Sequence, residues 1–486
     1  MTDGEMRRNG DTAEREAKGM TNYLISNGML LDATGADVKS DSAVFVEGNK
    51  IAKLGAADKV EAFARKQGEF ETIDATGKTI MPGMIDCHVH PSYNEITSIE
   101  GLELYGSAEY RTLKAALAIR KILRAGVTSV GSPGGVWKVN VALRDAVDAG
   151  LIEGPRILAG GHYISTWNGT GSFFPSHIEH PQSSFAVLCN TRDEMIKQVR
   201  LEIKDGVDII KVSGDGDTST PAGMDLLGSI TLDDLKAIAE IAHRMKRKVT
   251  IHARSGRASA EASQAGFDWI IHASFMSDED LGVIVKNGTP INPTLSLLAN
   301  TIEWGPDLGA ASGLIDYYKY ELDAASNILT KAHEAGVTMM AGTDSGMMTV
   351  PSGAWHAREM EHLMTYCGLN NMEAIQSSTR NAAEVMGVGD QVGTLEEGKF
   401  ADILVVRGDP LADISVLQDP ARLDVIMKDG RIVDTRTPLP EPIVHGWEKP
   451  LLVWPDSTPL LATQEWVREH ASIKPRWMRE ISEAAE

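Results

Sequence analysis

From residue 79 onward the chain alternates short apolar runs with longer stretches in which apolar residues recur at spacings of three and four. The runs are TIMPGMIDCHVH (79–90), VTSVGSP (127–133), RILAGGH (156–162), DIIKVSG (208–214), VTIHA (249–253), WIIHAS (269–274), TPINPTL (289–295) and VTMMAGTDS (337–345). Apolar runs of this length between Gly and Pro signals predict buried strands. The stretches 109–125, 192–205, 232–246 and 315–335 predict helices, and several close on Gly just before the next run. Strand and helix in alternation predict parallel strands with crossover helices. Eight such units over roughly 260 residues predict an α/β fold, a (β/α)8 TIM barrel.

Barrel sites lie at the C-terminal ends of the strands. The polar residues that interrupt the runs fall there: His88 and His90 after the first strand, Lys211 late in the fourth, His252 after the fifth, His272 after the sixth and Asp344 after the eighth. His88 and His90 stand two apart on a strand, so they project to one side and can share a metal ion. A lone histidine of this kind is more often a satisfied core residue than a ligand. Six such residues at one rim argue for a metal centre.

The flanks read differently. Residues 1–21 are polar and charged and predict a mobile leader. YLISNGMLLDATG, SAVFVEGNKIAKLG and FETIDATGKTI are short β segments split by turn signals, and VGTLEEGKFADILVV and LDVIMKDGRIVDT match them after the barrel. Neither set alone covers a core, so one β-sandwich built from both termini is expected. The expected boundaries are 22–78 and 389–437 for its halves and 79–388 for the barrel. The extension 438–486 carries Trp447, Trp454, Trp466 and Trp477, four of the nine tryptophans, and such aromatic content predicts packing against the barrel or a neighbouring subunit.

Composition narrows the partners. A formal charge of -21 argues against nucleic acid and anionic membranes. Cys87, Cys189 and Cys367 are too few and too scattered for a disulfide framework, and no stretch approaches a membrane span. A cytoplasmic protein that forms a closed homo-oligomer is the expectation.

His-x-His, Lys, His, His and Asp on successive strands, with PGMIDCHVH, IIHAS and AGTDS around them, resemble the amidohydrolase superfamily over residues 22–437. The resemblance is to the binuclear subtype with a carboxylated lysine. Within it the chain looks most like the prolidase, imidazolonepropionase-related and ochratoxin-hydrolysing branch, and less like hydrolases of phenylurea and thiocarbamate herbicides. The resemblance implies two divalent ions, zinc first among them. One is held by His88, His90 and Asp344 and the other by His252 and His272, with a carbamate on Lys211 bridging them. Asp344 then serves as ligand and general base in hydrolysis of a C–N bond.

Candidate substrate contacts are His162, Tyr163, Arg254, His356 and the loop WNGTGSFF (167–174). Arg254 suits a substrate carboxylate, although relatives often carry Tyr there; an Arg paired with a protein carboxylate is the competing reading. The expected substrate is a small-molecule amide: an N-acyl amino acid, prolyl dipeptide or ochratoxin-like compound. Carbamate, thiocarbamate or phenylurea hydrolysis is the alternative. A mononuclear deaminase, which needs no Lys211, and an inactive scaffold relative are the other classes.

Overall fold

The computed structural model describes residues 20–96, 98–217 and 226–440, together with residues 466, 467 and 469. The expected leader and nearly all of the Trp-rich extension, with the oligomer contact assigned to it, lie outside the described residues. Trp466 and Val467 are buried.

The first sheet begins with β1 (Tyr23–Leu30), β2 (Lys39–Glu47), β3 (Lys50–Ala56), β4 (Glu71–Asp74) and β5 (Lys78–Pro82). The barrel follows as β6 (Met84–Asp86), β7 (Val127–Ser132), β8 (Arg156–Ser165), β9 (Ala186–Leu188), β10 (Ile209–Ser213), β11 (Lys248–Ser255), β12 (Trp269–Phe275) and β13 (Ile291–Asn292). The chain then returns to the first sheet with β14 (Ile403–Arg407), β15 (Leu423–Lys428) and β16 (Arg431–Ile432).

In the first sheet the order is β16-β15-β14-β5-β1-β2-β3, with β4 beside β1. Tight turns set its hairpins: Gly48 has φ 58° between β2 and β3, and Asp429-Gly430 has φ 47° and 72° between β15 and β16. Ile25, Val44, Ile51, Ile80, Ile403 and Val405 share one core. The β3 edge meets the chain before β14 through Ile51 N–H to the Lys399 carbonyl, at 3.0 Å. The sandwich from both termini is therefore one sheet bent around its own core. Helix Ala57–Ala64 covers the outer face, where Val60 packs with Phe45.

The barrel strands pair in parallel in the order β13-β12-β11-β10-β8-β7-β6, with β9 on β8. Residues 338–345 occupy the eighth position as bridges: Met339 to Ile291 on one side and Ser345 to Val89 on the other. Crossover helices start where the sequence supplies caps, with capping boxes at Thr191/Glu194, Thr231/Asp234 and Ser277/Asp280. No helix among the described residues is long and apolar enough to cross a membrane.

One expected strand is two. Thr79 to Pro82 pairs with Val406 to Ile403 of β14 in the first sheet, and the barrel starts only at Met84. Gly83 is the step between the sheets, its N–H bonded to the Asp402 carbonyl at 2.9 Å. A Cβ there would stand 2.2 Å from Thr128 Oγ1 and 2.5 Å from its Cγ2. Gly83→Ala is therefore expected to cost about 1–3 kcal/mol of unfolding free energy in denaturant titration. Adding Thr128→Ala should recover most of that loss; no recovery would mean that the glycine serves the backbone instead.

Candidate metal centre

The first strand ends on Asp86, a buried carboxylate with four donors. It accepts the backbone N–H of His88 (3.0 Å) and of Thr343 (3.1 Å), the Thr343 hydroxyl (2.6 Å) and His356 Nδ1–H (2.7 Å). First and eighth strands are thus tied at the rim, and Asp344 N–H bonds the His88 carbonyl at 2.8 Å. His272 and Asp344 have φ of 77° and 60°, and the β-branched Thr294 has φ 55°. Left-handed backbone at such residues costs on the order of 1–3 kcal/mol each and persists where the surroundings enforce it. All three stand at one site.

The imidazoles come in two pairs. His90 donates Nδ1–H to the Gly134 carbonyl at 2.7 Å, which turns Nε2 toward His88 Nε2 at 3.0 Å and Asp344 Oδ1 at 3.1 Å. His252 donates Nε2–H to the Gly216 carbonyl at 3.2 Å, leaving Nδ1 facing His272 Nε2 at 3.1 Å. The Thr294 hydroxyl gives its one proton to the Pro293 carbonyl, so it accepts from His272 Nδ1–H and frees that Nε2 as well. Burial holds His88, His252 and His272 well below the ordinary value of 6.5. Two lone pairs facing each other at this distance repel unless a cation lies between them. Two nitrogens on one tetrahedral zinc stand about 3.3 Å apart. Among the described residues His88, His90 and Asp344 form a group whose ligand atoms all lie within 4.8 Å of one another.

Lys211 lies beside them. Its side chain is fully buried, and Nζ has no hydrogen-bond partner. Burial lowers its pKa to about 7, against a smaller upward pull from Asp344, so a large neutral fraction exists near pH 7. Burial pushes Asp344 upward, but His88 and His90 outweigh it and hold the carboxylate well below its usual range. Neutral imidazoles, a firmly ionised carboxylate and an orphaned amine suit a divalent metal.

His88, His90, His252 and Asp344 line a cavity of about 300 Å³, with Tyr163 and Arg254 in its wall and Leu102, Phe173 and Phe185 among its apolar residues. Tyr163 is where it was expected: its hydroxyl lies 3.2 Å from His90 Nε2. Arg254 reaches the wall but is already paired, Nη1 to Glu321 at 2.6 Å, while its Nε has no partner. From the WNGTGSFF loop, Thr170 and Phe173 line the cavity, and Trp167 is 53% exposed.

Two expected contacts are elsewhere. His162 bonds Glu202 of helix Arg192–Asp205 at 3.1 Å and is absent from the cavity wall. Tyr163 is the register partner of the inward Lys211, so its neighbour His162 must face outward. His356 points away from the cavity, its two nitrogens used by Asp86 and the Gly353 N–H. Tyr93 was missed; it stacks on His90 with centroids 4.2 Å apart, and only its place three residues past His-x-His hinted at it.

Fold and rim together define a barrel hydrolase with metal-ligand side chains at its mouth. Residues 79–433 match the amidohydrolase family, and the chain belongs to it. Ochratoxinase of Aspergillus niger is 27% identical over 437 residues, covering 84% of this chain and 86% of that protein. The crystal structure of a Xaa-Pro dipeptidase with methionine in its active site is 28% identical, with a TM-score of 0.75 over 85% of this chain and all (100%) of that one. Molinate hydrolase, at 21% identity and a TM-score of 0.68 over 87% of this chain and 98% of its own, shares the fold.

Behind Leu102 the carboxyl of Glu103 is fully buried, and neither oxygen has a well-aligned partner. Burial raises its pKa to about 7; Ser184, Arg111 and the Phe185 N–H draw it only part of the way back. The folded chain thus holds a proton that the unfolded chain releases near 4.5. Stability from this group is full below about 4.5 and is lost as pH rises through about 7. Glu103→Gln is expected to match the wild type at about pH 4 and to exceed it at pH 8 by roughly 1–3 kcal/mol. Equal stability curves at both pH values would show that the carboxyl finds a partner when ionised.

Proposed function

We propose that this amidohydrolase is binuclear and cleaves the amide that joins an apolar acyl group to an amino acid. The observation that carries the reading is the pairing of four buried imidazoles, the His252 and His272 pair with facing lone pairs, around a buried lysine whose amine has no hydrogen-bond partner. His88, His90 and Asp344 would hold one divalent ion and His252 and His272 the other. The Lys211 amine would add to carbon dioxide, forming an N–C bond and releasing one proton, and the resulting carbamate anion would supply a further ligand between them. Two ions held there, zinc first among the candidates, would supply a nucleophile from water at neutral pH and would polarise the scissile carbonyl.

The chain's own residues do the rest. Asp344 stays ionised, so it can take a proton from the attacking water and return it to the departing nitrogen. The Tyr163 hydroxyl stands beside His90 in the cavity wall, where it can donate to the substrate carbonyl. Leu102, Phe173 and Phe185 exclude water from the acyl side. Arg254 receives the carboxylate of the amine half, and Glu321 holds the guanidinium from behind through Nη1. The names of the ochratoxin-hydrolysing and Xaa-Pro-cleaving relatives support an amide of this shape. One observation favours a second reading: Glu321 already balances Arg254, which suits an uncharged carbamate or urea.

Lys211→Ala is expected to lose most turnover and one of two metal ions by elemental analysis. Acetate or formate supplied with zinc should restore part of both. Lys211→Arg should not respond, because its guanidinium stays cationic. A Lys211→Ala protein that keeps two ions and near-normal turnover would leave only a mononuclear centre.

Arg254→Ala separates the two substrate readings. Loss of a charge-assisted pair is expected to raise KM about 10–100-fold for N-acyl amino acids, with little change for their carboxamides. Equal changes on both would point to uncharged substrates.

A further inference from the structure

The segment after the eighth strand supplies no cavity side chain from His356 or Glu359, yet its bonds reach both pairs of imidazoles. His356 donates Nδ1–H to Asp86 Oδ2 at 2.7 Å and accepts the Gly353 N–H on Nε2 at 3.0 Å, so its tautomer is set. Asp86 holds the His88 N–H with one oxygen. The Thr343 N–H bonds that same oxygen, and the Thr343 hydroxyl bonds the other, next to Asp344. His356 therefore acts on two donors of the first pair's cluster through a single carboxylate.

Three residues on, Glu359 does the corresponding work for the second pair. It is fully buried and accepts the Leu295 N–H at 2.9 Å, the Ser296 N–H at 2.7 Å and the Ser296 hydroxyl at 2.6 Å. These bonds cap helix Leu295–Trp304, whose N-cap is the left-handed Thr294. Thr294 is the acceptor for His272 Nδ1–H. Between the two, the Arg358 guanidinium lies 4.4 and 5.4 Å from the ring centroids of the mutually packed Trp304 and Trp355 and donates to Asn300 at 2.7 Å. The segment cannot shift without dragging both ends.

We propose that residues 356–359 form one brace that sets the donor geometry of both halves of the centre. His356 is the positioning residue for the His88, His90 and Asp344 half, and Glu359 is the positioning residue for the His252 and His272 half. Neither touches substrate. The assignment rests on the metal reading above. Partners that orient ligands in this way are worth typically about 10–100-fold in metal affinity.

The test isolates each half. His252→Asn/His272→Asn leaves the first donor set, and His88→Asn/His90→Asn leaves the second. Zinc dissociation constants are read by competition with a chromophoric chelator, with melting of the metal-free protein as a fold control. His356→Gln is expected to weaken zinc about 10–100-fold in the first background and less than about threefold in the second. Glu359→Gln should do the reverse. If either variant fails to fold, Thr343→Val and Thr294→Val cut the next link of each chain, the Thr343 hydroxyl to Asp86 and the Thr294 hydroxyl to His272, and should show the same selectivity. Equal losses in both backgrounds, or none in either, overturn the brace while leaving the metal centre in place. A wild-type chain that takes up no zinc removes the metal reading and the brace with it.

Discussion

The buried lone pairs of His252 Nδ1 and His272 Nε2, a hydrogen bond's length apart with no proton between them, are the constraint on which the rest of the rim depends. Such an arrangement does not form by collapse of apolar strands; it must be imposed from outside. Carbonyls at Gly134 and Gly216 and the hydroxyl of Thr294 take the outer ring protons and so decide which nitrogen faces inward. Left-handed backbone at His272, Thr294 and Asp344 is part of the cost. A barrel can bear it because its strands are paired along their length while their ends are free to be specialised.

Much of the barrel and its rim is legible in the sequence. Periodicity located the barrel strands, and the spacing of His88, His90, Lys211, His252, His272 and Asp344 along them located the rim. What was not legible follows from the way sheets work. His162 and Tyr163 are neighbours on β8, and the pleat allows only one of them to face inward; the register with Lys211 chooses, and register is not written locally. His356 reads as a rim histidine, but its partner Asp86 is 270 residues earlier. Thr79 to His90 reads as one apolar run, although Gly83 hands it from one sheet to the other.

The same limit hid the outer polar residues. Glu321 looks like a helix-surface acid in the sequence and is a fully buried partner of Arg254 and Ser274. Asp215 reads as one acid in a polar loop, yet it is fully buried and accepts the N–H groups of Arg254 and Ser255 at the end of β11. Each is a carboxylate that satisfies donors from a distant strand end, and no periodic pattern marks such a role.

The return of the chain to its first sheet has a consequence for how the molecule is made. The Thr79 hydroxyl bonds the Gly408 carbonyl 329 residues later, and β5 lies against β14 along its whole length. A ribosome adding about 5–20 residues per second leaves that edge of β5 bare for roughly 15–65 seconds. Throughout that interval the nascent chain offers an unsatisfied row of peptide groups, the template on which foreign strands add. Barrel closure is then not the final event of biogenesis. The strand that shields β5 is translated only after the whole barrel, so a chain truncated before residue 403 would carry the barrel strands and an open, adhesive flank.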